Sequence, residues 1–261
     1  MKRSAFLLGL LAALALAVPS NAQHAADNPP MEGFNTAGSD ARAIEIADAV
    51  MESMGGRKNW DNTHFLSWGF GGDEQVWDKW SGDFRYQRDS LVVLMNINTK
   101  KGRAFADGKE IANPDELLTN AYRAWVNSGY WFIMPYKLKD SGVTLKYLGE
   151  GTTADGRPAE MLELTFDNVG LTPQNKYHVF VDKESMLVTQ WQYFPKSTDA
   201  EPGFTRPMAN WKKYGNIMLS DNRGEGRNGQ PFILPHVGAY SSVPERVFTD
   251  PNRIDLATLG N

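Results

Sequence analysis

No cysteine occurs anywhere in the sequence. That absence removes disulfides, thiolate catalysis, Cys-based metal sites and lipid attachment to an N-terminal cysteine in one step. Histidine is scarce: His24, His64, His178 and His236 are all there are. None has a partner at a metal-ligand spacing such as HExxH or HxH, and zinc needs three or four convergent ligands, so no metal and no cofactor is expected. Charge of one sign is also lacking. Setting aside Lys2 and Arg3 leaves 27 − 2 = 25 basic against 31 acidic residues, a net −6. A mildly acidic chain with scattered charges argues against nucleic acid and against an anionic membrane surface as partners. Beyond the first 22 residues no apolar run is long enough to span a bilayer. There is no Gly-x-Ser-x-Gly elbow, no phosphate-binding glycine motif and no internal repeat.

What is present begins with a leader. Lys2 and Arg3 precede an apolar core from Ala5 to Val18, and Ser20-Asn21-Ala22 supplies a small-x-small cleavage signal. Residues 1–22 therefore read as a signal peptide cleaved near Ala22. The expected protein is soluble, exported and periplasmic, a compartment where a cysteine-free domain of this size needs no cross-links. Residues 23–38, rich in Pro, Asn and Gly, read as a flexible mature N-terminus. Residues 39–225 read as one domain, and 226–261 as a Gly-, Pro- and Asn-rich extension whose order the composition leaves open.

The domain opens on a helix over residues 40–54, with Ser39 as cap and Ala43, Ile44, Ala47, Val50, Met51 and Met54 as one apolar stripe. Gly55-Gly56 ends it, and Trp60 is expected to pack under it. From His64 the period changes to two, and short strands follow over residues 65–70, 74–80, 84–88, 91–97 and 103–106, with Asp107-Gly108 a hairpin signal. A second helix starts at Asn113 and Pro114, with Asp115 and Glu116 in its first turn, and ends at Asn127-Ser128-Gly129. Residues 130–134 are five bulky apolar side chains stopped by Pro135, expected as buried chain beside a sheet. Strands resume with Val143, Leu145 and Tyr147 on one face, then over residues 161–166, 177–182, 187–194, 211–214 and 217–220. The fold class is α+β, mainly antiparallel β, with about ten or eleven strands and two helices.

The aromatic load carries the functional reading. Trp68, Phe70, Trp77, Trp80, Phe84, Tyr86, Trp131, Phe132, Trp191 and Tyr193 sit in or beside expected strands. Ordinary core packing accounts for any one of them, but a concave face lined by many is a hydrophobic-ligand pocket. Parity adds Leu162, Leu164 and Phe166, and Tyr122, Trp125 and Met134 flank it from the second helix and the apolar run after it. Gly71-Gly72-Asp73-Glu74 mimics the GGDE of enzymes that make cyclic dinucleotides, but a hairpin turn explains its glycines and acid. Glu160 and Glu163, three apart on a strand, face opposite sides and cannot cooperate directly.

Several motifs together resemble the LolA/LolB-type periplasmic lipoprotein-carrier superfamily, most closely its poorly characterised secreted relatives. They are Ser53-Met54-Gly55-Gly56-Arg57-Lys58-Asn59-Trp60, the core YWFIMPYKLKDSGVTLKYLGE at residues 130–150, Val179-Phe180-Val181-Asp182 with Val188-Thr189-Gln190-Trp191, and Asn210-Trp211-Lys212-Lys213-Tyr214. The resemblance covers roughly residues 40–225. It implies a curved, incomplete half-barrel closed by helices, whose hollow binds acyl chains. The function expected is therefore non-catalytic binding of a lipid or a lipoprotein acyl chain, with residues 114–127 and 130–134 as lid. At about 25 cal/mol per Å² of buried apolar surface, one acyl chain supplies several kcal/mol without chemistry. Lipoproteins or another envelope protein are candidate partners, outer-membrane lipoprotein sorting the implied context, and a monomer the expected state. Two rivals stand beside it: a periplasmic interaction or regulatory module without a small ligand, and an exported hydrolase with an unrecognised carboxylate pair.

Overall fold

A computed structural model describes residues 27–259; the leader expected at residues 1–22, its expected cleavage near Ala22 and residues 23–26 lie outside them. Helix α1 (Ala41–Ser53) follows an extended Asp40 and stops where Gly55 and Gly56 take φ of +109° and +83°. Asp40 stands at the cap position expected for Ser39, yet its carboxylate is spent elsewhere, on the Tyr147 N–H and the Lys146 ammonium, both at 3.0 Å. Gly55 has a second reason to be glycine, since a Cβ there would lie 2.3 Å from the Asn216 carbonyl oxygen. Trp60 lies on its own short helix, α2 (Arg57–Asn62), and stacks on Tyr136 at 4.1 Å.

The flexible N-terminus expected over residues 23–38 is tied down from Asn28 onward. Asn28 is buried against Asp48 on α1, and the Lys139 ammonium reaches both. The Met31 N–H donates to the Lys139 carbonyl and the Asn35 N–H to the Val143 carbonyl. Composition showed polar loop chemistry there but not these acceptors, which come from chain a hundred residues away.

Fifteen strands form among the described residues, all antiparallel. The first sheet is a meander of β1 (Phe65–Phe70), β2 (Asp73–Asp78), β3 (Asp83–Arg88), β4 (Leu91–Asn96), β5 (Lys101–Ala106) and β6 (Lys109–Glu110). The second contains β7 (Val143–Thr152), β8 (Pro158–Phe166), β9 (Lys176–Asp182), β10 (Val188–Phe194) and β11 (Phe204–Pro207). The third holds β12 (Ala209–Tyr214), β13 (Ile217–Glu225) and β14 (Pro231–Ile233). The final strand, β15 (Gly238–Tyr240), returns to the first sheet and pairs with β1. The architecture is thus the expected α+β class of open antiparallel sheets with few helices. Its strand count exceeds the expected ten or eleven because β6, β11, β14 and β15 are only two to four residues long.

The C-terminal extension, whose order the composition left open, is built into the fold. After β15 a short helix, α5 (Arg246–Thr249), and a turn at Leu256–Thr258 lie over the outer face of the first sheet, where Val76, Val247, Leu256 and Leu259 form a satellite cluster. Arg85 holds this strap down. Its buried guanidinium donates to the carbonyls of Val247, Asp250 and Asn252, and its Nε to Gln87.

Between the sheets runs a helical stretch over residues 115–137. Helix α3 (Asp115–Ala124) begins one residue later than the sequence suggests, because Asn113 takes a left-handed φ of +55° and Pro114 becomes the cap. The helix does not end at Asn127-Ser128-Gly129. It widens into a π-helical turn (Trp125–Gly129), continues as α4 (Tyr130–Ile133) and tightens into a 3₁₀ turn (Met134–Lys137). The apolar residues 130–134, expected as non-helical chain beside a sheet, are therefore helical and clasped from two sides. Trp125 and Phe132 meet Trp77 and Trp68 of the first sheet, each at 5.4 Å. Tyr130 and Trp131 meet Tyr177 and Trp191 of the second, at 5.5 and 5.9 Å. One core cluster runs through all three sheets and this helical stretch.

Candidate functional site

The π-helical turn borders a half-open cavity of about 340 Å³ bounded by the first and second sheets, the helical stretch and the loop 167–175. Single π turns inside helices recur at functional sites because the extra residue re-aims side chains. Here the turn is anchored from below by Ser128, which is buried. Its hydroxyl donates to the Ala124 carbonyl at 2.7 Å and accepts from the Gln75 amide at 2.9 Å and the Trp68 indole at 3.2 Å. Gly129 lets the indole approach: a Cβ at that position would stand 3.3 Å from Trp68 Cζ2. The turn thereby presents Trp125 and Val126 to the cavity, with Trp125 packed edge-on against Trp77.

Of the residues singled out in the sequence, Trp68, Trp77, Tyr122, Trp125, Trp131, Phe132 and Phe166 all line this cavity. The others lie elsewhere. Leu162, Leu164, Met134 and Trp191 are buried in the core beneath the wall. Phe70 packs between Trp131 and Phe232. The Tyr86 hydroxyl donates to Asp73 at 2.8 Å, and burial with that carboxylate pushes the phenol up to about 12. Trp80 is 61% exposed, stacked on His64 at 3.9 Å and donating to the Asp61 carbonyl. Strand β2 ends at Asp78, so Trp80 falls in the following turn and loses the parity that a strand to residue 80 implied. Phe84 is fully buried, and Tyr193 packs on Phe204.

The sequence reading missed part of the wall. Tyr177 lines the cavity, as do Val169, Gly170 and Leu171 of the loop 167–175, and Tyr130, expected within the lid, lines it too. Leu171 is 44% exposed at the rim. The one sequence signal for it was an apolar residue stranded in a polar, Pro- and Gly-containing loop. The exposed lining residues Asn127, Ser141, Gly170, Leu171 and Thr172 mark the mouth.

The wall is poor in charge. Lys137 and Asp140 are its ionised side chains, and they pair with each other. Burial raises the Tyr130 and Tyr177 phenols above their ordinary range, so both stay protonated. The Tyr177 hydroxyl accepts from the Trp131 indole at 3.1 Å. By contrast, Trp77 Nε1 and the Tyr130 hydroxyl are sealed from bulk water with no hydrogen-bond partner in the protein. A second depression, of about 780 Å³, lies between α2, the β12–β13 turn and residues 239–244. Asn59, Asn62, Ser241 and Ser242 make its wall polar, and none of the residues singled out in the sequence reaches it.

The acids singled out in the sequence are engaged structurally. Glu160 accepts from Arg42 at 2.9 Å and from the Tyr147 hydroxyl at 2.5 Å, while Glu163 pairs with His178 at 3.1 Å. The glycines of Gly71-Gly72-Asp73-Glu74 occupy the β1–β2 turn with positive φ, and Glu74 pairs with His236 and Arg253. Among the described residues no three His, Asp or Glu side chains converge as metal ligands.

No protein-family model matches the sequence, and no curated protein matches it. Among solved structures the chain is similar to a DUF1329 family protein from Desulfovibrio piger, with a TM-score of 0.42 and 11% identity over 79% of this chain and 96% of that one. It is also similar to a LolA superfamily protein from Nitrosomonas europaea, with a TM-score of 0.38 and 11% identity over 79% and 97%. A third is MucB in complex with MucA, with a TM-score of 0.21 and 12% identity over 79% and 59%.

Proposed function

We propose that this protein binds a hydrophobic ligand in the aromatic-walled cavity and does no chemistry on it. The observation that carries this reading is the cavity itself. A space of about 340 Å³ falls within the roughly 300–1,000 Å³ of small-molecule sites, and a mostly apolar wall with a few polar groups is the usual composition of such sites. Glu160, Glu163 and Glu74 pair with Arg42, His178 and Arg253, and the single acid of the wall, Asp140, pairs with Lys137, so no second carboxylate stands beside it there. The leader at residues 1–22 supports a periplasmic setting, and a lipid or an acyl chain is a ligand class suited to it. Among the described residues no helix is long and apolar enough to cross a membrane.

The test is native mass spectrometry of protein purified without detergent, with lipid extraction of the same sample. A co-purified apolar species supports the reading. Protein that is empty and stays empty after incubation with lipids favours a protein-interaction module with a filled core. At residue level, Trp125→Ala removes the panel that the π turn presents and is expected to weaken ligand binding roughly tenfold or more. Trp80→Ala, outside the cavity, is expected to leave binding unchanged.

A further inference from the structure

The polar depression of about 780 Å³ between α2, the β12–β13 turn and residues 239–244 shares no lining residue with the aromatic-walled cavity.

Its first property is neutrality. Of the whole chain 22% is charged, yet none of the thirteen lining residues is Asp, Glu, Lys, Arg or His. A phosphate or carboxylate entering it would leave water with no cation to receive it. A metal ion would find neither carboxylate nor imidazole. The aliphatic share is Ala239, Val243 and Pro244, too little to bury a lipid chain.

The second property is unused hydrogen-bonding capacity. The side chains of Asn62, Asn216, Ser241 and Ser242 make no hydrogen bond to any other described residue. Amides and hydroxyls both donate and accept, so these four match a ligand whose own groups do both. Tyr214 and Tyr240 line the same hollow, each packed on a hydrophobic cluster and neither in contact with another aromatic ring. Aromatic surface beside neutral polar groups is amphipathic in the way a sugar is, with its C–H faces and its rim of hydroxyls.

The third property is that the walls are fixed in place. The Met218 N–H donates to the Met54 carbonyl at 3.0 Å, and the Tyr136 hydroxyl donates to the Met218 carbonyl at 2.7 Å, tying β13 to the end of α1. On α2 the Asn59 amide donates to the Gly55 carbonyl at 2.6 Å. Pairing of β15 with β1 brings in residues 239 and 240. A preformed hollow loses little binding free energy to ordering.

We propose that this depression is a second binding site, for a short neutral oligosaccharide held by Asn62, Asn216, Ser241, Ser242 and the rings of Tyr214 and Tyr240. Its volume is that of small-molecule sites. Roughly 150 Å³ holds one unsubstituted six-membered ring, so about 780 Å³ leaves room for several rings that carry hydroxyls. The assignment stands whether or not the other cavity takes a lipid.

The test is titration of the purified protein with maltotriose, cellotriose and triacetylchitotriose, followed by saturation-transfer NMR. Trigalacturonate serves as an acidic trisaccharide of the same length. At least one neutral trisaccharide is expected to bind, and trigalacturonate to bind tenfold more weakly or worse, by about that factor. Asn62→Ala and Tyr214→Ala, each confirmed as folded by a thermal melt, are expected to weaken binding by roughly two- to tenfold. Trp125→Ala, in the other cavity, is expected to leave it unchanged. The proposal is overturned if no neutral trisaccharide binds up to about 10 mM, or if trigalacturonate binds as tightly. It is overturned equally if both folded variants bind like the wild type, or if Trp125→Ala abolishes binding and so moves the sugar to the other cavity.

Discussion

At the scale of single residues, the site depends on groups that never face a ligand. Ser128 is one of them. Its hydroxyl is the shared acceptor for Trp68 Nε1 and the Gln75 amide. Ser128→Ala leaves both donors unpartnered in the interior, at about 1–3 kcal/mol for each group left bare. The expected result is a urea midpoint lowered by an amount equivalent to a few kcal/mol, with Trp125 released from its position. Lys79 is another. Its ammonium is buried over the Trp60 ring at 3.7 Å and donates to the Trp60 and Thr63 carbonyls, and burial lowers its pKa to about 8. In the unfolded chain an ordinary lysine titrates near 10.4. Between about pH 8 and 10.4 the unfolded state thus holds more protons, so stability rises with pH across that window, and the unfavourable contribution of the buried charge is fully present below it. Urea midpoints measured at pH 7.5 and 9.5 should show this rise in the wild type and a smaller one in Lys79→Met.

At the scale of elements, the legible and the illegible parts separate by where their stabilising contacts come from. Helix α1 and the strands from β1 to β5 could be read because each carries its own period and its own stop signals, such as Gly55-Gly56 and Asp107-Gly108. Helix α4 could not. Tyr130, Trp131, Phe132 and Ile133 are β-branched or aromatic, Gly129 precedes them and Pro135 follows, so local preference points away from helix. Rings reaching in from both sheets override it. Half of the site escaped for a related reason. Parity placed Leu162 and Leu164 on the correct face of β8, but depth beneath that face is set by what packs on top, and both are fully buried. The C-terminal strap is illegible because its strands are three residues long and lean on remote partners. That makes a prediction at this scale. A chain ending at residue 237 loses β15 and α5, bares the outer face around Val76 and leaves the Arg85 guanidinium without its carbonyl acceptors. Removing the partners of a buried charge is among the costlier changes a fold can suffer, and the truncated chain is expected to aggregate or to melt well below the full one in a thermal scan.

At the scale of the whole molecule, the helical stretch over residues 115–137 is the shared interior of the first two sheets, and the core cluster does not break between them. Neither sheet can lose its packing without uncovering the other. Tryptophan fluorescence and far-UV circular dichroism are therefore expected to report one coincident urea transition. Two separated transitions would mean that the sheets unfold independently, contrary to the continuous core.

The pairing of the final strand with the first has a consequence for how this chain comes into being. Ser67 and Tyr240 touch across 173 positions of sequence. A ribosome that has made β1 must add nearly all of the remaining chain before the neighbour on that edge exists. Contacts so distant along the chain are the slow ones to form, so the meander stays open-edged and uncommitted throughout elongation. The last strand to emerge is also the one that completes the first sheet, so that edge stays unpaired until the chain is nearly whole.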